Sequence, residues 1–352
     1  MSSTTESGSP TQASAQMLQM LHAFLTVQGV HVAAVLGIAD LLADGPRTVD
    51  DLAEATGAHG PSLQRLLRML TGPGVIREET DGRFAITPLG ATLQSGRPDS
   101  VRDWALFAGA PDVWAVWAGL RDSVMTGQAG FQVVHGEPMW EYLTAHRELG
   151  EVFDGWMTSQ SGQHNAALVE AYDFSPFRLV ADVGGGQGST LAAILAANPT
   201  LHGVLLDLPE VVTDVSELDR AGVADRCQVI GGDMLASVPS GADAYLLKRV
   251  LMGWSDDEAV TVLGHCAAEM AVDGKVVVVD IVMATGNDPT PAKPFDILML
   301  LTQPGARIRT EDEFRRLFAA AGLRLTRVIP TASQNSVLEG SVEGSPQNGG
   351  SP

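Results

Sequence analysis

From residue 178 onward, short apolar runs alternate with stretches of helical spacing. The runs are RLVADVGGG, HGVLLDL, CQVIGGD, AYLLK, KVVVVDIV and, later, LRLTRVI. Runs this uniformly apolar belong to strands buried on both faces, since a strand with one wet face alternates apolar with polar. Buried strands separated by helices build a parallel sheet covered on each side, a doubly wound α/β domain. Such a sheet takes its ligand beyond the C-terminal ends of its strands. Residues that close the runs are therefore the ones placed to do chemistry.

The first run closes on Asp182-Val183-Gly184-Gly185-Gly186-Gln187-Gly188. Glycines there let the chain turn sharply and let a ligand lie close against the backbone. Their spacing is GxGxG. The dinucleotide fingerprint needs a glycine where this chain has Ser189, which speaks against a nicotinamide cofactor. Asp207 closes the second run, 19 residues after Gly188, where a carboxylate can take both hydroxyls of a ribose. The third run closes on Gly232-Asp233-Met234, a carboxylate and a flat apolar side chain able to hold an adenine. One glycine loop is weak evidence. Three such elements at successive strand ends are strong.

The first half reads differently. Residues 15–44 carry apolar positions at helical spacing. Thr48 with Asp51 forms a capping-box start and Gly57 a stop, followed by the helical PSLQRLLRMLTGPG. VIREE and RFAIT then pair as a hairpin around Thr80-Asp81-Gly82. Two short helices and a two-stranded wing spell a winged helix. Residues 46–95 hold five arginines and six acids, a net of −1, and the whole chain carries 42 acidic against 22 basic residues, −20 overall. A nucleic-acid-binding wing should be basic, so a structural or dimerising role is expected instead. Residues 100–170 read as mostly helical and contain Trp104, Trp114, Trp117, Trp140 and Trp156. Such an aromatic layer packs as core, and some of its rings can wall an apolar pocket.

The ends, 1–14 and 341–352, are rich in Ser, Gly, Pro and Thr and read as disordered tails. Between them lie a winged-helix-like dimerisation domain at 15–100, a helical pocket layer at 101–177 and the α/β domain at 178–340. Cys227 and Cys266 are too few for a disulfide framework. No signal-peptide pattern opens the chain, and no run of about 18 consecutive apolar residues occurs, so no membrane span and a cytoplasmic location are expected.

In DVGGGQG (182–188), LLDLPEVV (205–212), GDM (232–234), LLKRVLMGWSDDEA (246–259) and RTEDEFRRLFAAAG (309–322), the chain resembles the S-adenosylmethionine-dependent small-molecule O-methyltransferases. The resemblance spans about residues 15–340 and is closest to the bacterial natural-product tailoring type. It implies a class I methyltransferase fold, a homodimer built through the winged helix, S-adenosylmethionine as cofactor and no nucleic acid or membrane as partner. The implied cofactor site is Asp182, Gly184, Gly186, Asp207, Leu208, Asp233, Met234, Lys248 and Trp254. The implied acceptor pocket includes Asp154, Met157, Met252 and Met299.

Two departures bear on mechanism. Most members of the family read His-Asp-Trp where this chain reads Met252-Gly253-Trp254, and that His is the general base. The Glu that orients it usually precedes the Arg-Thr pair, where this chain has Ile308. Methionine and isoleucine accept no proton, and they bind no metal in the manner of relatives that place histidines there. Of the remaining histidines, His164 on the pocket helix is a weak candidate for a replacement base. His31 could reach a partner subunit, and His265 lies too far along the next helix. Two functions follow: methyl transfer to a phenolic, polyketide or activated-carbon acceptor by proximity and orientation, or non-methylating tailoring chemistry (hydroxylation, decarboxylation, cyclisation) on the same cofactor site.

Overall fold

The structure is a computed structural model that describes residues 10–342. The chain divides into two compact units. The first takes in the described residues up to Ala115 with His146–Ser159; the second takes Val116–Ala145 and residues 160–342.

The first unit opens on the helix Pro10–Val35. Residues 10–14, expected to be tail, are thus helical: proline suits a first helical turn, where its missing N–H would have no partner. The 15–44 segment is two helices rather than one. Gly37, at φ 64°, breaks it before the short helix Ile38–Leu41. On the long helix Met17, Leu18, Met20, Leu21 and Phe24 are each more than half exposed. Over Thr11–Val35 this helix is long and apolar enough, by length and composition, to cross a membrane. The expectation of no such segment rested on an unbroken run, whereas here polar residues such as Gln19 and His22 interrupt an otherwise apolar stretch. The helix Val49–Thr56 has the expected box, Thr48 and Asp51 bonding each other's backbone N–H, and ends at Gly57 in the left-handed region. Gly60–Thr71 follows, then the antiparallel hairpin Ile76–Glu78 with Phe84–Ile86. Leu52, Leu67, Leu70 and Phe84 are fully enclosed at the centre of this winged helix.

The second unit holds the sheet. Its strands are β1 (Leu179–Val183), β2 (His202–Asp207), β3 (Cys227–Gly231), β4 (Ala244–Lys248), β5 (Lys275–Asp280), β6 (Leu323–Pro330) and β7 (Ser336–Val342). The order is β6-β7-β5-β4-β1-β2-β3. The five strands from β5 to β3 run parallel. β7 runs antiparallel between β5 and β6. This strand corrects the sequence reading: residues 341–342, expected to be tail, extend it, and Glu339 and Ser341 on it are buried. Tyr172 donates to Glu339 Oε2 at 2.7 Å, and Ser341 is 2% exposed. One face of the sheet packs on the helices Asp256–Glu269 and Glu311–Ala320. The other packs on the end of the helix Arg147–Ala171 and on Ser189–Ala197. The strand ends that remain carry the loops described next.

Candidate active site

At the end of β1 the chain turns through Gly184, Gly186 and Gly188, all in the left-handed region at φ 69°, 60° and 84°. Side chains with a Cβ rarely adopt that conformation, which is why glycines stand here. Gly184 N donates to Leu206 O at 2.8 Å and Gly186 N to Asp207 Oδ2 at 2.7 Å, while Leu208 N donates to Asp207 Oδ1 at 2.7 Å. One carboxylate thus ties the glycine loop to the end of β2. A Cβ at Gly186 would meet nothing within 4 Å, so the backbone there faces open space. Leu208 is exposed beside it. Met234 sulfur lies 3.5 Å from where a Cβ on Gly184 would stand, which brings the third strand end to the first. Asp233 is exposed, its Oδ1 accepting from Leu235 N at 2.8 Å.

Asp182 is 1% exposed, and neither of its carboxylate oxygens has a partner among the described residues. Burial raises its pKa to about 7, against the pull of Lys248 and with a smaller push from Asp207. Lys248, at the end of β4, is pushed down to about 8 by burial while Asp182 draws it up. Each charge is costly alone and the two moderate one another.

After β4 the chain makes a tight turn, Leu251–Gly253. Arg309, fully buried, donates to Leu251 O, to Trp254 O at 2.7 Å and to Asp256 Oδ1 at 2.9 Å, clasping both ends of this turn. Arg307 N donates to Met252 O at 2.9 Å. Trp254 lies partly buried on the core beneath the sheet. Met252 and Ile308 are 5% and 4% exposed and share one apolar cluster with Ile281 and Ala292, against which Met283, Phe295 and Met299 pack. The two positions where the resemblance implies a base and its orienting carboxylate are therefore packed into one buried apolar cluster. Asp154 and Met157 belong to the first unit, on the helix Arg147–Ala171, where burial raises the pKa of Asp154 with a smaller push from Glu151.

The histidines supply no obvious base. Burial, with Arg249 and Lys248 adding, lowers His164 to about 4, so it is neutral and a feeble proton acceptor near neutral pH. His31 Nδ1 is 3.1 Å from Ala105 O within its own unit, and His265 Nδ1 is 3.2 Å from Met234 O. No group of three or more His, Cys, Asp or Glu among the described residues is arranged to hold a metal ion.

Two charged residues escaped the sequence reading. Asp280, fully buried, closes β5; it accepts from Met252 N at 3.2 Å and Ile281 N at 2.8 Å, and burial raises it to about 6. It ends an apolar run just as Asp182 and Asp207 do, so the same rule would have found it. Arg249 is one of two non-glycine residues at positive φ (57°) among the described residues, and no local pattern announces that.

The chain matches an O-methyltransferase domain over residues 117–324 and an O-methyltransferase dimerisation domain over residues 18–96. A phenazine O-methyltransferase of Lysobacter antibioticus is 42% identical over 92% of this chain and 94% of its own length. A mitomycin biosynthesis 6-O-methyltransferase of Streptomyces lavendulae is 40% identical over 86% and 87% respectively. Among solved structures, a methyltransferase of calicheamicin biosynthesis in its S-adenosylhomocysteine-bound form superimposes with a TM-score of 0.84 at 36% identity, covering 95% of this chain and 99% of that one.

Proposed function

The chain belongs to the O-methyltransferase family and is an S-adenosylmethionine-dependent methyltransferase of small natural products; from that premise we propose how its own residues perform the transfer. The fit to the cofactor rests on the strand ends: an open glycine backbone at Gly186, the orphaned carboxylate of Asp182 and the carboxylate of Asp207. Gly184 and Gly186 would lie along the methionine portion, with Asp182 and Lys248 beside them. Asp207 would take the ribose hydroxyls with Leu208 covering them, Asp233 and Met234 would flank the adenine, and Trp254 would close the pocket. When bound, the cofactor supplies a methyl group on a cationic sulfur, already a strong electrophile.

The observation that carries the mechanism is the shared apolar wall of Met252 and Ile308. A general base contributes about 10²- to 10⁴-fold. Orientation and avoided solvent reorganisation contribute about 7–11 kcal/mol, so the wall can sustain methyl transfer without a base if the acceptor needs little help to ionise. Met252 and Met299 would shape the acceptor site and exclude water. The acceptor class that suits this is an acidic phenolic hydroxyl on a small aromatic or polyketide natural product, as the phenazine and mitomycin names of the relatives suggest. The division into 15–100, 101–177 and 178–340 as dimerisation domain, pocket layer and cofactor domain belongs to the same reading, as do a homodimer and a soluble, cytoplasmic enzyme.

Incubation with methyl-labelled cofactor and a panel of phenolic and polyketide acceptors tests it. Label on the acceptor oxygen is the expected result. Turnover or modification of an acceptor with no label transferred would overturn the methyl-transfer reading.

A further inference from the structure

We propose that Arg249 is an anion anchor of the acceptor site, and that the enzyme takes its acceptor as an aromatic phenolate held by this guanidinium. The inference rests on the methyl-transfer reading above.

Four observations carry it. The Arg249 backbone sits at φ 57°, a conformation costly for a residue with a Cβ, held by its N–H donating to Val279 O at 2.8 Å. Such strain persists where the surrounding structure dictates a side chain's direction. The guanidinium stands over the Phe295 ring at 5.2 Å, and Phe295 packs on the cluster of Met252 and Ile308. A cation is thus set against the wall where a base is missing. Its buried Nε has no hydrogen-bond partner among the described residues. The residue as a whole is nevertheless only partly buried.

The charges around it leave this valence open. Asp280 on β5 is the nearby acid and attracts the guanidinium electrostatically, but its oxygens accept from Met252 N and Ile281 N and form no ion pair with Arg249. Asp296, on the helix Ala292–Thr302, accepts from Ile308 N at 2.7 Å. Arg309 is engaged with Asp256, and Lys248 on β4 faces Asp182 on β1. His164 is neutral. A buried donor left unpaired is costly, and an anionic oxygen would satisfy it.

The reaction balances without a proton acceptor. The phenolate oxygen forms its bond to the methyl carbon as the carbon–sulfur bond breaks, and that pair stays on sulfur. One negative and one positive charge are annihilated, giving a neutral ether and a neutral thioether, with no proton released. An adjacent cation favours the ionised acceptor but slightly lowers its nucleophilicity. Its benefit is therefore confined to pH values below the acceptor's own pKa.

The test has two arms. In the first, the pH-dependent absorbance of 4-nitrophenol and of 1-hydroxyphenazine is titrated on the protein with S-adenosylhomocysteine present. The bound pKa should lie about one unit or more below the free value, and Arg249→Gln should restore it nearly to the free value. In the second, kcat is followed against pH, because kcat reports ionisation within the bound complex whereas kcat/KM reports that of the free species. Arg249→Gln should move the acid limb up by a similar amount while leaving the high-pH plateau within about threefold; a merely structural loss would lower the whole curve instead. Arg249→Lys should keep part of the shift, and Arg316→Gln, an exposed arginine, should change nothing. An unshifted or raised pKa on the parent protein, failure of either dye to bind, or a superimposable Arg249→Gln profile would each overturn the proposal. If the parent moves no methyl group at all, the methyl-transfer reading fails, while the dye titration still decides the role of the guanidinium.

Discussion

Met252 packs as wall, so its substitution by leucine, nearly volume-conserving, should cost less than about tenfold in turnover, or about 1.4 kcal/mol. Steady-state kinetics on Met252→Leu decides this. A loss beyond about a hundredfold at unchanged cofactor affinity would mean that the thioether touches the reacting atoms. Asp207 differs in kind because its charge has a job. It already holds Gly186 N and Leu208 N, and its remaining acceptor capacity would take the ribose. Charge-assisted hydrogen bonds contribute about 1.5–3 kcal/mol each. Asp207→Ala should therefore weaken S-adenosylmethionine binding by about tenfold or more with circular dichroism unchanged. Calorimetry showing parental affinity would refute the assignment.

The glycine loop is the element on which cofactor binding turns, and its members are not equivalent. A Cβ at Gly185 would stand 2.5 Å from Leu205 and 2.6 Å from Asp182, whereas one at Gly186 would meet nothing. Gly185→Ala should thus lower the thermal midpoint by several degrees, an overpacking cost of about 1–3 kcal/mol. Gly186→Ala meets no neighbour but is strained at φ 60°, so it should cost about 1–2 kcal/mol of stability. It should in addition weaken cofactor binding, seen as a smaller rise of the midpoint on adding cofactor. Paired melting curves with and without cofactor separate the two. Four of the parallel strands and their closing residues were legible because burial on both faces writes itself as an unbroken apolar run; β3, read the same way, is instead a half-exposed edge strand. β7 was not, because SVLEGSV contains Ser336, Glu339, Gly340 and Ser341. Its polar residues are satisfied by partners remote in sequence, Glu339 by Tyr172 and by Arg327 at 3.5 Å, and Gly340 is required by the Phe318 ring. Arg249 escaped for a similar reason: its direction is set by a backbone torsion and a neighbouring strand, neither of which leaves a local pattern.

For the whole molecule, the exposed apolar row on the helix Pro10–Val35 and the matched dimerisation domain lead to one expectation, a dimer by light scattering at micromolar concentration. A monomeric mass would refute it. Acidity sets a second. Burial raises Asp182 to about 7 and Asp280 to about 6, above their ordinary 3.8. At these two groups the folded chain therefore binds more protons than the unfolded one between about pH 4 and 7, so they withdraw stability as pH rises through that window. His164, lowered to about 4, contributes with the opposite sign. Cofactor-free protein carrying Asp182→Asn should melt higher than the parent at pH 8, the gap closing toward pH 4; a gap constant with pH would refute this. The last-made strand also has a consequence in time. β7 pairs Ser336 with Asp280, 56 residues further along the chain, so when β5 leaves the ribosome the strand that will cover its edge does not yet exist. At about 5–20 residues per second that edge waits roughly 3–11 s, bare and able to template a neighbouring nascent chain. Codon speed across residues 281–336 should therefore govern the yield of soluble protein, with no change in its final sequence.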